Sequence, residues 1–125
     1  MNSEFTIQLE QVQEKPSITI FHLRGWLDAQ SEEQLLGAAR EAYNNGARYL
    51  LLDLEDVDTL TSAGMRAIQK VYRIFTPDDE HFRTAHVKMC NAPPQIYHVL
   101  GITGFLQTIH MYESVETALQ SFGEE

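Results

Sequence analysis

Two hydrophobic periods alternate along the chain. Phe5-Thr6-Ile7-Gln8-Leu9-Glu10 places apolar and polar residues in turn, the two-residue repeat of a half-buried strand. Glu14-Lys15-Pro16-Ser17 interrupts it with a turn signal. Ser17 to Leu23, rich in β-branched residues, predicts a second strand. The short break between the two predicts a hairpin, and Arg24-Gly25 is expected to end it. The period then lengthens. From Gln30 to Asn44, Leu35, Leu36, Ala39, Ala42 and Tyr43 recur at helical spacing, with Glu32, Glu33, Arg40 and Glu41 opposite. Asp28 or Ser31 is placed to cap this helix. Asn45-Gly46, both tolerant of positive φ, ends it.

Arg48 to Leu54 is the most apolar strand candidate. Tyr49-Leu50-Leu51-Leu52 does not alternate, which suits an inner strand covered on both faces. A helix is predicted over Ser62 to Phe75, with Met65, Ile68, Val71, Tyr72 and Phe75 on its apolar side. Thr84 to Cys90 predicts another strand, and Pro93-Pro94 opens a short helix with Ile96, Val99 and Leu100 facing inward. Thr108 to Tyr112 and Val115 to Phe122 complete the pattern as strand and helix. The order ββαβαβαβα predicts one α/β domain over residues 1–125, with a central sheet and packed helices.

Composition narrows the function classes. The chain of 125 residues carries 9 Lys plus Arg against 18 Asp plus Glu, a formal net charge of −9. That balance argues against binding a phosphate backbone or an anionic membrane surface. A partner with a basic docking face fits it better. No apolar run approaches the length of a membrane span. Cys90 is the only cysteine, and Met1-Asn2-Ser3-Glu4-Phe5 has no basic stretch leading into an apolar one. Both features fit a cytoplasmic protein.

The chemistry centres on Thr61-Ser62-Ala63-Gly64, where a buried strand turns directly into a helix. Three readings of the hydroxyls stand open. Ser and Thr cap helices by accepting the first free backbone N–H groups. A serine in a strand-to-helix turn also suits a hydrolase nucleophile, but that elbow wants glycine on both sides and Leu60 holds the earlier position. Third, a helix start welcomes a phosphate, and phosphorylation would add about −1.5 to −2 charges at one point. The small Ala63 and Gly64 would let a kinase approach.

Four segments in order carry a resemblance across nearly the whole chain. They are Ile20-Phe21-His22-Leu23-Arg24-Gly25-Trp26-Leu27-Asp28, Leu50-Leu51-Leu52-Asp53-Leu54 with Val57-Asp58, Thr61-Ser62-Ala63-Gly64-Met65, and Leu100-Gly101-Ile102-Thr103-Gly104-Phe105. The third resembles the signature Asp-Ser-Ser-Gly-Leu and its Ser-Ser-Ala-Gly-Leu variant. Together they resemble a STAS domain of the stand-alone bacterial anti-sigma factor antagonist type, in which the second segment matches an inner strand and Val57-Asp58 the loop after it. The resemblance implies a four-to-five-stranded mixed sheet with helices mainly on one side. It implies a binding partner rather than an enzyme, with no cofactor. The partner would be an anti-sigma factor that is itself a serine kinase, which phosphorylates the antagonist to switch it off, and a phosphatase would restore it. The phosphoacceptor position is Ser62. Thr61 replaces the acidic or Ser residue before it and is a competing acceptor or a cap, while Ala63 replaces the second Ser. The alternative is a constitutive STAS subunit of a signalling scaffold or transporter ATPase, with Ser62 as a cap.

Other residues carry paired readings. Asp28 matches the family's aspartate near the phosphoacceptor and is expected to help form the partner surface, or it caps the next helix. Asp58 is a carboxylate beside the switch, or a turn residue. Trp26 is an interface anchor or a half-buried packing group. Met65 and Ile68 are core or docking residues, and Gly64 is expected on the partner-binding surface beside Met65. Arg66, Gln69 and Arg73 line a docking face of the helix or a solvated one. Cys90 is read as an inert buried thiol. His81 and His86 make no convincing metal pair. The connection Phe75 to Val87 is long and charged, a solvated loop or a determinant of partner choice.

Overall fold

The computed structural model describes residues 4–13, 16–76 and 85–123. Strands β1 (Thr6–Val12), β2 (Ile18–Leu27), β3 (Leu50–Leu60), β4 (Val87–Cys90) and β5 (Met111–Tyr112) form one sheet in sequential order. β1 runs antiparallel to β2, as the hairpin pattern predicts, and β2 through β5 are mutually parallel. The helices are α1 (Glu32–Asn44), α2 (Ser62–Phe75), α3 (Pro94–Ile102) and α4 (Val115–Gly123). A short 3-10 turn at Phe105–Gln107 is the one addition to the predicted order.

The leucine run explains the layering. Leu50, Leu52 and Leu54 point into a large core with Phe21, Leu23 and Leu27 of β2, under α1, α2 and α3. Leu51 points the other way, into a smaller core with Ile18, Ile20 and Cys90, covered by Ala118 and Phe122 of α4. Both faces of β3 are therefore dry over Leu50–Leu52, which is why the apolar positions there do not alternate. Among the described residues, three helices share one face and α4 alone covers the other.

Two expected boundaries are corrected. Arg24-Gly25 does not end β2, because Gly25 adopts φ 99° and the pairing with β3 shifts on either side of it. A Cβ there would stand 2.4 Å from the Glu4 carbonyl oxygen. The glycine thus permits a bulge that carries the strand on to Trp26 and Leu27. Val57-Asp58 is not a loop either. β3 runs through to Leu60, with Val57 buried in the large core and paired with Gly25. Most of the 76–86 connection, residues 77–84 including His81, lies outside the described residues.

Candidate functional site

The parallel pair β2–β3 delivers the ends of both strands to one edge, and α2 starts there. Thr61 closes the strand by donating its N–H to the Leu27 carbonyl at 3.1 Å. Its extended backbone then turns into the helix, its carbonyl accepting the Met65 N–H at 2.9 Å. Its Oγ1 accepts the Gly64 N–H at 3.2 Å, so Thr61 is the cap of α2. Gly64 is buried, and a Cβ on it would lie 2.1 Å from the Leu27 carbonyl oxygen. The glycine is required by this close approach of helix to strand, which alone accounts for it. Leu27 and Gly64 together hold the first turn of α2 against the sheet.

With Thr61 assigned to capping, Ser62 is the first residue of α2, exposed, and its side chain bonds to no described residue. No acidic residue occupies the first turn to offset the positive end of the helix dipole. Ser62 opens onto a hollow of about 1050 Å³ shared with Thr61, Phe5, Ile7, Trp26 and Asp28. Trp26 is 41% exposed there. Asp28 is half-buried and does the work of a turn cap, its Oδ1 accepting the N–H groups of Gln30 at 3.0 Å and Ser31 at 3.2 Å. Ser31 occupies the cap position of α1 but faces backward. Its Oγ accepts the Asp28 N–H and donates to the Trp26 carbonyl, both at 2.9 Å. The backbone that presents Trp26 and Asp28 to the hollow is thereby tied down.

The remaining sequence-predicted positions divide. Asp58 is exposed and lines a neighbouring depression with Arg24 and Gly25, which borders the Ser62 hollow at Glu4 and Thr6. Strand alternation across the bulge sends it to the other side, so only Asp28 of the two carboxylates shares the Ser62 hollow. Met65 is half-buried against the large core, its Sδ 3.8 Å from the Thr103 hydroxyl. Arg66, Gln69 and Arg73 are exposed along one face of α2, next to a Lys70–Glu32 ion pair at 2.7 Å that joins α2 to α1. Among the described residues no group of His, Cys, Asp and Glu is arranged to hold a metal ion. His86 is buried, stacked on Tyr49, its Nδ1 donating to the Arg48 carbonyl at 2.9 Å. Cys90 is buried, and burial followed by the charge of Asp53 pushes its thiol up to about 12. No described helix is long and apolar enough to cross a membrane.

A polar cluster on the α4 face of the sheet was not foreseen. His22 of β2 stands between two carboxylates, with Nδ1 2.6 Å from Asp53 Oδ2 and Nε2 2.8 Å from Glu10 Oε1. Asn91 donates to Asp53 Oδ1 at 3.1 Å. The signal in the sequence was a charge, Asp53, inside the most apolar strand, since a buried carboxylate needs partners.

The STAS domain family profile matches residues 10–118. BtrV of Bordetella bronchiseptica, which carries the name of an anti-sigma factor antagonist, is 27% identical over 100 residues, covering 80% of this chain and 82% of that protein. An anti-sigma factor antagonist from Mycobacterium paratuberculosis superposes with a TM-score of 0.81 at 18% identity, over 98% of this chain and 97% of that one. The antagonist SpoIIAA in its unphosphorylated form gives 0.74 at 20% identity, over 96% and 98%. The Bacillus SpoIIAA structure in the phosphorylated form gives 0.66 at 20% identity, over 93% and 98%. The profile spans most of the chain, and the five-stranded mixed sheet with three helices on one face agrees with it: the chain belongs to the STAS domain family.

Proposed function

We propose that this STAS domain is an anti-sigma factor antagonist that binds a serine-kinase anti-sigma factor and is switched off by phosphorylation at Ser62. One observation carries the reading. Thr61 supplies the helix cap, so capping does not account for Ser62, whose hydroxyl is exposed at the positive end of α2. The similarity to BtrV and to a SpoIIAA known in phosphorylated form supports it. Thr61 is the poorer acceptor, because its oxygen is already engaged by the Gly64 N–H.

The kinase would transfer the terminal phosphoryl group of ATP to Ser62 Oγ, forming the O–P bond, releasing ADP and passing the hydroxyl proton to a base of the kinase. The docking face is the rim of the hollow at Trp26 and Asp28 together with the exposed side of α2 at Met65, Arg66 and Gln69. Gly64 contributes by seating the turn, not by contact. A group gaining about two negative charges beside Asp28 changes the field over that face without touching the core. A phosphatase would reverse the change.

The test mixes the protein with candidate serine-kinase anti-sigma factors and ATP, maps phosphate by mass spectrometry, and measures binding of Ser62→Ala and Ser62→Asp. Ser62→Ala should bind like the parent protein and take no phosphate, and Ser62→Asp should bind at least about tenfold more weakly, roughly 1.4 kcal/mol. Equal binding by both variants would remove the charge switch and leave a constitutive STAS interaction subunit.

A further inference from the structure

We propose that a protonated His22 rivets the edge strand β1 to β3 across β2, and that losing this one proton loosens β1. A neutral imidazole carries a single N–H. Here both ring nitrogens face carboxylate oxygens, at 2.8 Å to Glu10 and 2.6 Å to Asp53. Asp53 acts as an acceptor at its other oxygen too, from the Asn91 amide at 3.1 Å and the Glu55 N–H at 3.2 Å. Carboxyl groups give up their protons at lower pH than an imidazole does, so in the neutral range the shared proton belongs to the ring and both contacts are donated by an imidazolium.

The surroundings favour the cation. The hollow of about 640 Å³ around the ring is lined by Glu10 from β1, Asp53, Glu55 and Asp56 from β3, and Glu116 from α4. Cys90 of β4, its thiol held neutral, adds no charge. Arg24, two residues along β2, lies in a different depression. Burial works against protonation of His22, but hydrogen bonds to Glu10 and Asp53 and their charges outweigh it, so its pKa is raised above the ordinary 6.5. The rivet is thus fully present below pH 6.5 and is lost as pH rises through the folded-state pKa.

β1 is the strand that depends on it. It lies at the sheet edge, paired among the described residues with β2 alone, and most of its side chains are exposed, Leu9 among them at 54%. Such an element opens locally at low cost. Its beginning, with Phe5 just before it and Ile7 within it, also walls the Ser62 hollow on the opposite face of the sheet.

The experiment is an NMR titration of labelled protein from about pH 5 to about pH 9, following the His22 ring nitrogens and amide-exchange protection factors together. Both ring nitrogens should carry protons at the acid end, with a midpoint above 6.5. Protection of β1 amides should fall at least roughly threefold across that midpoint, while Leu50 to Leu52 of β3 hold theirs. Glu10→Gln, at an exposed position, should lower the midpoint and reduce β1 protection at acid pH. A midpoint at or below 6.5, a midpoint that Glu10→Gln leaves in place, or β1 protection that tracks pH no more than that of β3 would overturn the proposal.

Discussion

Gly64→Ala sets two effects of opposite sign against each other. Helix propensity favours alanine over glycine by about 1 kcal/mol in a helix interior, and by less in the first turn. Against this, the added Cβ would sit 2.1 Å from the Leu27 carbonyl oxygen, 2.8 Å from its carbon and 3.0 Å from Leu60 Cδ1. Two of these neighbours are backbone atoms of a buried strand, which cannot rotate away. The first turn of α2 and the end of β2 must separate by roughly 1 Å, and such overpacking costs about 1–3 kcal/mol. The same displacement strains the Thr61–Leu27 hydrogen bond of 3.1 Å and the Thr61 cap of 3.2 Å. Losing the cap would add about 1 kcal/mol. With a propensity gain of roughly 0.5 kcal/mol subtracted, the net expectation is a loss of roughly 1.5–3.5 kcal/mol, which for a domain of this size lowers Tm by about 6–14 °C. Thermal and urea melts of Gly64→Ala beside Ser62→Ala measure it, since the exposed serine should change stability by less than about 0.5 kcal/mol. A Gly64→Ala melt within about 2 °C of the parent protein would show that helix and strand separate freely, and the account of this glycine would be wrong.

Four further outcomes follow from the same geometry. Thr61→Ala should cost about 1 kcal/mol in a urea melt and Thr61→Ser much less, because only the cap oxygen is at stake; equal losses would point to the methyl group instead. Trp26→Ala should weaken binding to the anti-sigma factor proposed as partner by about 2 kcal/mol or more while leaving the melt nearly unchanged, read by calorimetric titration. Cys90, buried with its thiol near 12, should resist a thiol reagent at mildly alkaline pH until denaturant is added; rapid labelling of the native protein would contradict its burial. The Glu32 carboxyl is held below its ordinary 4.5 by the hydrogen bond from Lys70, so Lys70→Gln should move its NMR titration upward. The small stabilisation from that pair is present above 4.5 and fades as pH falls through the lowered value.

Local pattern sufficed for much of this protein. The helical period over Ser62–Phe75 placed α2 at both ends, and the unalternating Leu50-Leu51-Leu52 marked an inner strand. Both are properties of neighbouring residues, which face the same solvent or core conditions along the chain. The extension of β2 past Gly25 and of β3 to Leu60 was not legible there. It arises because the two strands pair in parallel around a bulge whose glycine makes room for the Glu4 carbonyl, a partner about twenty residues away. The division of labour at the site was also tertiary. From the sequence, Thr61 and Ser62 were two adjacent hydroxyls at a helix start, and either could cap it. The approach of Leu27 decided the matter by fixing the Thr61 backbone as extended, which turned its oxygen to Gly64 and left Ser62 outward. Asp28 and Asp58 looked equivalent until strand alternation put them in different depressions. Glu10, His22 and Asp53 come together only because three strands align side by side, and no spacing along a single strand encodes that meeting.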